Sequence, residues 1–448
     1  MHKELITFVG LILLTTTAKA LEVTTLPQRQ VTAAEWLAFE ARLALSKIDQ
    51  NISPKNTPDE NKAGLIEALP GAIIAARTRK EPNYYYHWVR DSALVVDAYL
   101  SEISRMEPEQ AEKSLRKILD HVAFNDQLQT LPPAGEAKTG LGEPKFEVDG
   151  SHYLAGWGRP QNDGPALRAA ALIHLTRILG KSSQSNYRLQ TVIRRDLDYI
   201  AEHWRDPSVD LWEEVKGDHF YTRMVQHRAL LEGSVHMRSL GLYVLADQYE
   251  LQASELKKTL GQFWNAQLEH FIPTVLRVDG IDYKNSQRDT AVILAFLHGN
   301  SSRKPLRFTD AKFIKSMDLL IRTFQELYPI NKDPNIPGVA IGRYPEDVYG
   351  GSHFKYGNPW PMITLGLAEA SYKISEEYRH KGAELMAQRW LERGDNLVLR
   401  VQHHAYADGS LSEQIDRDSG QMTSVSDLTW NYAAVLTAAR ARAQAIAD

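Results

Sequence analysis

Apolar positions recur at spacings of three and four residues along nearly the whole chain, the period of amphipathic helices that bury one face. In the first such segment Trp36, Phe39, Leu43 and Ile48 share a side. It opens on Thr32 and Glu35, the spacing of a capping box, in which each side chain takes up a backbone N–H that the first helical turn leaves free. A second segment opens at Asp163-Gly164-Pro165, repeats Leu167, Ala171, Leu175 and Ile178, and stops at Gly180, so start signal, period and stop signal agree. Segments 188–204 and 310–328 carry the same pattern and end before Pro207 and Pro329. Further stretches near 90–104, 107–124, 226–249, 252–265, 289–298, 359–376, 380–403 and 426–446 bring the prediction to about twelve helices.

The two-residue alternation of strands is scarce, and the chain reads as all-α. Between the helices lie long loops at 125–163, 205–224, 329–358 and 404–425, rich in Gly, Pro, Trp, Tyr and charge. Loops of that length inside a compact domain usually carry function. No Ser/Thr/Pro-rich linker divides the chain, and residues 51–63, with Pro54 and Pro58, read as an exposed excursion rather than a boundary. The first twenty residues differ: His2 and Lys3, the apolar run from Leu5 to Leu14 and Ala18-Lys19-Ala20 have the layout of a secretory signal, too short to span a bilayer. The expected organisation is a signal peptide over 1–20 and a single domain over 21–448, secreted and free of the membrane once cleaved.

The 52 Lys and Arg against 56 Asp and Glu give a formal net charge of −4, which leaves no cationic surplus for a phosphate backbone and argues against nucleic-acid binding. Cysteine is absent, which removes disulfides, thiolate nucleophiles and Cys-ligated centres. A His-Glu-x-x-His helix is missing, and the neighbours His403 and His404 fall on different faces of any helix, so no metal is expected. Gly350-Gly351-Ser352-His353-Phe354 lacks the last glycine of a nucleophile elbow, and Gly140-Leu141-Gly142-Glu143 does not continue into a dinucleotide fingerprint. Both read as turns.

What remains is a set of loop segments that mix rings, carboxylates and arginines: Asn83-Tyr84-Tyr85-Tyr86-His87-Trp88-Val89-Arg90-Asp91, Gly156-Trp157-Gly158-Arg159-Pro160-Gln161, Leu211-Trp212-Glu213-Glu214-Val215, Arg343-Tyr344-Pro345-Glu346-Asp347 and Ser412-Glu413-Gln414. Sugars call for this mixture, because flat apolar rings stack on pyranose faces while charged groups bond the hydroxyls. Any one segment also fits a plain helix end, as where Asp91 beside Arg90 would serve the helix dipole; five together on long loops favour sugar recognition. Cleaving a glycosidic bond takes two carboxyl groups, one protonated acid and one ionised base or nucleophile. Glu213 and Glu214 suit the first role, since a neighbouring carboxylate and burial beside Trp212 both raise a pKa. Glu413 supplies the second.

In this order the segments resemble the glucoamylases, the glucan 1,4-α-glucosidases of glycoside hydrolase family fifteen, from about residue 33 to 440. Tyr84 to Ser92 is similar to the first family block, which assigns Tyr84, Trp88, Arg90 and Asp91 to the subsite for the non-reducing end. Gly158-Arg159-Pro160-Gln161-Asn162-Asp163-Gly164-Pro165 resembles the second, with Trp157 packing on substrate. The third, Asp210 to Val215, implies Glu213 as general acid and Glu214 as a sugar ligand, beside Leu211 and Trp212. Gly342-Arg343-Tyr344-Pro345-Glu346-Asp347 with Gly357-Asn358-Pro359-Trp360 resembles the fourth, implying sugar contacts from Arg343 and Trp360. The fifth implies Glu413 as general base, with Ser424 beside it and Trp430 in the site. Departures are His87, Lys216 and a lengthened fourth loop over 350–357, which bear on outer subsites more than on chemistry.

The resemblance implies an (α/α)6 barrel acting as a monomer on α-glucans without a metal or organic cofactor. It implies an inverting, exo-acting hydrolase that releases β-glucose from non-reducing ends, more slowly from α-1,6 links. The alternatives are another inverting (α/α)6 glycosidase, with trehalose, dextran or α-1,6 preference, and an inactive glycan-binding protein.

Overall fold

Thr32 and Glu35 form the expected capping box: the Glu35 N–H donates to Thr32 Oγ1 at 3.2 Å and the Thr32 N–H to Glu35 Oε2 at 2.9 Å. Helix α1 (Ala33–Asn51) follows. The computed structural model describes residues 31–134, 139–301 and 306–447; the expected signal segment 1–20 lies outside the described residues. From α1 the chain runs through α2 (Pro58–Lys62), α3 (Val89–Ile103), α4 (Pro108–Leu128), α5 (Asp163–Leu179), α6 (Tyr187–His203), α7 (Phe220–Ser239), α8 (Tyr243–Thr259), α9 (Ala291–Gly299), α10 (Ala311–Leu327), α11 (Pro361–Arg379), α12 (Glu384–His404) and α13 (Thr429–Ile446).

Twelve of these helices make two nested rings. Helices α3, α5, α7, α9, α11 and α13 touch in that order and α13 returns to α3, closing an inner ring; α1, α4, α6, α8, α10 and α12 pack outside it. This is the expected (α/α)6 barrel. The residues explain the partition. Helix α9, Ala291-Val292-Ile293-Leu294-Ala295-Phe296-Leu297, is apolar on all sides and buried nearly throughout, as a helix enclosed by others must be. Helices α6 and α10 bury Leu189, Ile193, Leu197 and Phe313, Met317, Leu320 on one face and leave the other to water.

The connections differ between the two ends. Turns from an inner to the next outer helix are short, as at 240–242 and 380–383, whereas outer-to-inner connections are long, as at 129–162, 204–219, 260–290, 328–360 and 405–428. Each of those inner helices therefore starts beneath a long loop. The loops gather at the end where the inner helix N-termini collect, and the partial positive charge of those termini favours carboxylates.

Two expectations change. Periodicity predicts helices over 226–249 and 252–265, but α7 ends at Ser239, Gly241 turns the chain at φ +77°, and α8 begins at Tyr243. Leu242, Tyr243 and Val244 continued the apolar rhythm across that turn while being 43%, 60% and 83% exposed, so they mimic a core stripe without filling one. The loops also hold short antiparallel strands: His87–Trp88 pairs with Lys145–Phe146, Val215–His219 lies between Ser208–Val209 and Thr274–Gly280, and Ser412–Ile415 pairs with Met422–Ser426. These small sheets hold the residues described next.

Candidate active site

Glu213 sits in the tight turn ahead of strand Val215–His219, with φ at +67°. That left-handed conformation costs a side-chain-bearing residue roughly 1–3 kcal/mol and persists only where its surroundings impose it. Asp210 imposes it here. Its Oδ1 accepts the backbone N–H groups of Glu214 at 2.7 Å and Val215 at 3.0 Å, and its carbonyl accepts the Glu213 N–H at 2.9 Å. Burial opposes the charge on Asp210, but Lys284, His219 and those two N–H groups outweigh it and hold the carboxyl below its usual range. The turn aims Glu213 at three donors: Oε1 takes Trp88 Nε1 at 3.1 Å and Gln161 Nε2 at 3.0 Å, with Arg90 Nη2 3.5 Å away.

Glu413 lies on the hairpin Ser412–Ile415, buried, and is held by a different set. Its Oε1 accepts Tyr84 OH at 2.6 Å, and its Oε2 accepts Ser424 Oγ and, at 3.1 Å, Gln414 Nε2. Ser424 is itself at φ +67°, so both carboxyl groups depend on a strained backbone position nearby. Burial holds the Glu413 carboxyl above its ordinary range of about 4.5 despite the bonds from Ser424 and Tyr84. Glu213 and Glu413 thus share no hydrogen-bond partner, and the rings of Tyr84 and Trp88, 5.5 Å apart, link one set to the other.

Both carboxylates line one cavity of about 570 Å³. The same cavity is lined by every residue expected of the site except Ser424: Tyr84, Trp88, Arg90, Asp91, Trp157, Leu211, Trp212, Glu214, Arg343, Trp360 and Trp430. Ser424 reaches it through Glu413. Glu214 turns away from Glu213, binding Arg343 Nη2 at 2.9 Å and accepting Tyr344 OH at 2.7 Å. Burial outweighs Arg343 and Lys284 and keeps the Glu214 carboxyl above its usual range. Arg343 also grips Asp347 with two bonds of 2.8 and 2.6 Å. Burial pushes Asp91 up to about 6, against Arg90 and with Glu213 and Asp163 adding to it. Arg90 Nε and Asp91 Oδ2, both buried, face each other as an ion pair at 3.5 Å, and Trp360 Nε1 is buried without a hydrogen-bond partner. A buried indole N–H without a partner is uncommon in folded proteins, and this one belongs to a residue lining the cavity.

Residues 59–440 match the sequence profile of Glycosyl hydrolases family 15. The chain belongs to that family. It is 32% identical over 435 residues to the glucoamylase of Blastobotrys adeninivorans, covering 85% of this chain and 69% of that one, and 30% identical over 461 residues to Glucoamylase 1 of Rhizopus oryzae, covering 95% and 73%. The solved glucoamylase from Saccharomycopsis fibuligera superposes with a TM-score of 0.81 at 27% identity, covering 94% of this chain and 97% of that one.

In this family 15 protein the site also contains residues the sequence reading passed over. Lys145 places its ammonium 3.3 Å over the Trp157 ring and 3.9 Å over Tyr153, with Tyr86 and Trp88 each at 4.6 Å. Burial pulls it down to about 8. Lys284 bonds Asp289 at 2.8 Å, and Asp289 accepts Trp212 Nε1 at 2.8 Å. Lys145 follows Gly140-Leu141-Gly142-Glu143, which reads as a turn, and a lone lysine carries no signal until its rings are seen around it. Among the described residues no group of three or more His, Asp or Glu could hold a metal ion, and no helix is long and apolar enough to cross a membrane.

Proposed function

We propose that the protein is an exo-acting glucan 1,4-α-glucosidase working by single displacement, with Glu213 as general acid and Glu413 as general base. The observation that supports this best is the pair of carboxyl groups facing one aromatic-lined cavity on separate hydrogen-bond sets. Glu213 donates its proton to the glycosidic oxygen as the bond to the anomeric carbon breaks. Glu413 takes a proton from the water that attacks that carbon from the opposite face. Tyr84 and Ser424 orient the base, and Trp88 and Gln161 orient the acid. Arg90, Asp91, Glu214 and Arg343 bond the hydroxyls of the terminal glucose, and the unpaired Trp360 Nε1 offers a further donor to a polyhydroxylated ligand. Leu211, Trp212, Trp157, Trp360 and Trp430 supply apolar contact.

An inverting pair leaves room for water, with carboxyl groups roughly 6.5–9.5 Å apart. Attack opposite an α-linked oxygen makes β-glucose the first product. Proton NMR on a fresh maltoheptaose digest is expected to show the β-anomer in excess before mutarotation; initial α-glucose would reverse the role given to Glu413. The same assay on maltose, isomaltose, trehalose and dextran ranks the linkages, with α-1,6 slower than α-1,4.

We also propose a secreted monomer cleaved after Ala20. N-terminal sequencing of the protein from its native culture is expected to start at or near Leu21, and a chain starting at Met1 would refute the leader.

A further inference from the structure

Two aromatic walls rise from the cavity. On one side Trp88, Trp157 and Tyr153 follow each other with ring centres 6.3 and 5.8 Å apart. On the other, Trp212, Trp360, Tyr349 and Phe354 follow at 6.2, 6.3 and 5.6 Å. Along this second wall exposure climbs steeply: Trp212 and Trp360 are each 7% exposed, whereas Phe354 is 75% exposed and still lines the cavity. A ring of that size left in water at the rim of a sugar-binding cleft costs solubility and contributes nothing to the core.

The loop that carries Phe354 is held firmly. The backbones of Tyr349 and Phe354 form an antiparallel bridge, and the Gly350 N–H donates to the His353 carbonyl at 2.8 Å. At its far end the Gly357 N–H donates to the carbonyl of Asp347, whose carboxylate grips Arg343. In the middle Gly351, at φ +79°, lies against Ser424: a Cβ there would come within 2.5 Å of the Ser424 Cβ and Oγ. The loop backbone is therefore held by its own bonds and packs against the hydrogen-bond partner of Glu413, which limits the backbone ordering that a ligand stacking on Phe354 would cost.

We propose that Phe354 is an outer sugar platform: its ring stacks on a glucosyl unit of the leaving-group side, two or more units beyond the bond that is cut, and biases the enzyme toward longer α-1,4-glucans. This rests on the activity proposed above. Maltose is too short to reach the platform, whereas maltoheptaose crosses it. The contact is made in the ground state and kept in the transition state, so it acts on binding.

The test measures affinity apart from turnover. In a Glu213→Gln background, which spares the substrate, titration calorimetry gives Kd for maltoheptaose and maltose with Phe354, Phe354→Ala and Phe354→Tyr. The ratio of the two Kd values is expected to shift about three- to tenfold against maltoheptaose in Phe354→Ala, the range of an aromatic stacking contact, and to recover in Phe354→Tyr. An unchanged ratio, or one that stays shifted in Phe354→Tyr, overturns the platform. Glucose release by the unmodified protein tests the underlying activity separately, so a failed activity and a failed platform are told apart.

Discussion

Glu213→Gln is expected to lower kcat by roughly 10²–10⁴-fold, the contribution of a positioned general acid, while KM for maltoheptaose stays within a few-fold. The amide keeps the shape of the side chain and can still meet Trp88 and Gln161, which bond Oε1 in the native turn. It has no proton to give to a departing sugar oxygen. The pH profile separates this from a general loss of structure. Glu413 works only when ionised, so the rate falls as pH drops through its pKa, which burial holds above 4.5. That acid limb is expected to persist in Glu213→Gln, because the groups that hold Glu413 are untouched by the substitution. Rate profiles of the purified variant from pH 3 to 7 read that limb. A near-native rate would move the acid elsewhere, with Glu214 first in line.

Arg343→Met is expected to cost about 3–5 kcal/mol of folding stability, the usual consequence of removing one partner from a buried ion pair. Arg343 is buried and bonds two carboxylates at once, Glu214 at 2.9 Å and Asp347 at 2.6 Å. Deleting the cation strands both charges. Lys284 remains 3.9 Å from Glu214 and the Tyr349 N–H 2.9 Å from Asp347, which places the loss toward the lower end of that range. Denaturant unfolding measures it. Adding Glu214→Gln and Asp347→Asn removes the orphaned charges and is expected to recover most of the stability without recovering glucan affinity. Equal stability of Arg343→Met and the native protein would show that the arginine serves the ligand alone.

How much of this was legible depended on the kind of signal each residue leaves. Helix α5 announces itself through Asp163, Pro165, a clean period and Gly180. The boundary between α7 and α8 does not, because exposed Leu242, Tyr243 and Val244 extend the rhythm past Gly241. The loop segments around Trp88, Glu213, Arg343 and Glu413 stand out because polar and aromatic residues seldom cluster so densely on long loops. Their geometry does not stand out. The positive φ of Glu213 follows from Asp210 capping the turn and from Gly280 lying across it on the partner strand, where a Cβ would come within 2.1 Å of the Glu214 carbonyl oxygen. That contact joins residues more than sixty positions apart, beyond the reach of local pattern. Lys145, Lys284 and Asp289 matter through what surrounds them, and surroundings are assembled only by the fold.

Ring closure has a consequence for the order in which the molecule can come into being. Helix α13 seals the barrel against the first part of the chain: Lys47 bonds Asp427 at 2.8 Å, Asn51 bonds Thr429 across 378 positions, and Thr429 Oγ1 donates to the carbonyl of Ile74 at 2.7 Å. Glu413, Ser424 and Trp430 belong to that closing segment. During synthesis at the ribosome the preceding helices emerge first, yet five inner helices leave a seam whose apolar sides await the sixth. Contacts of such sequence separation form late, because the intervening chain must be ordered before they stabilise anything. The general base therefore joins the site only as the ring closes, whereas Trp88, Arg90 and Gln161, the partners of the acid, all precede Glu213 in the chain.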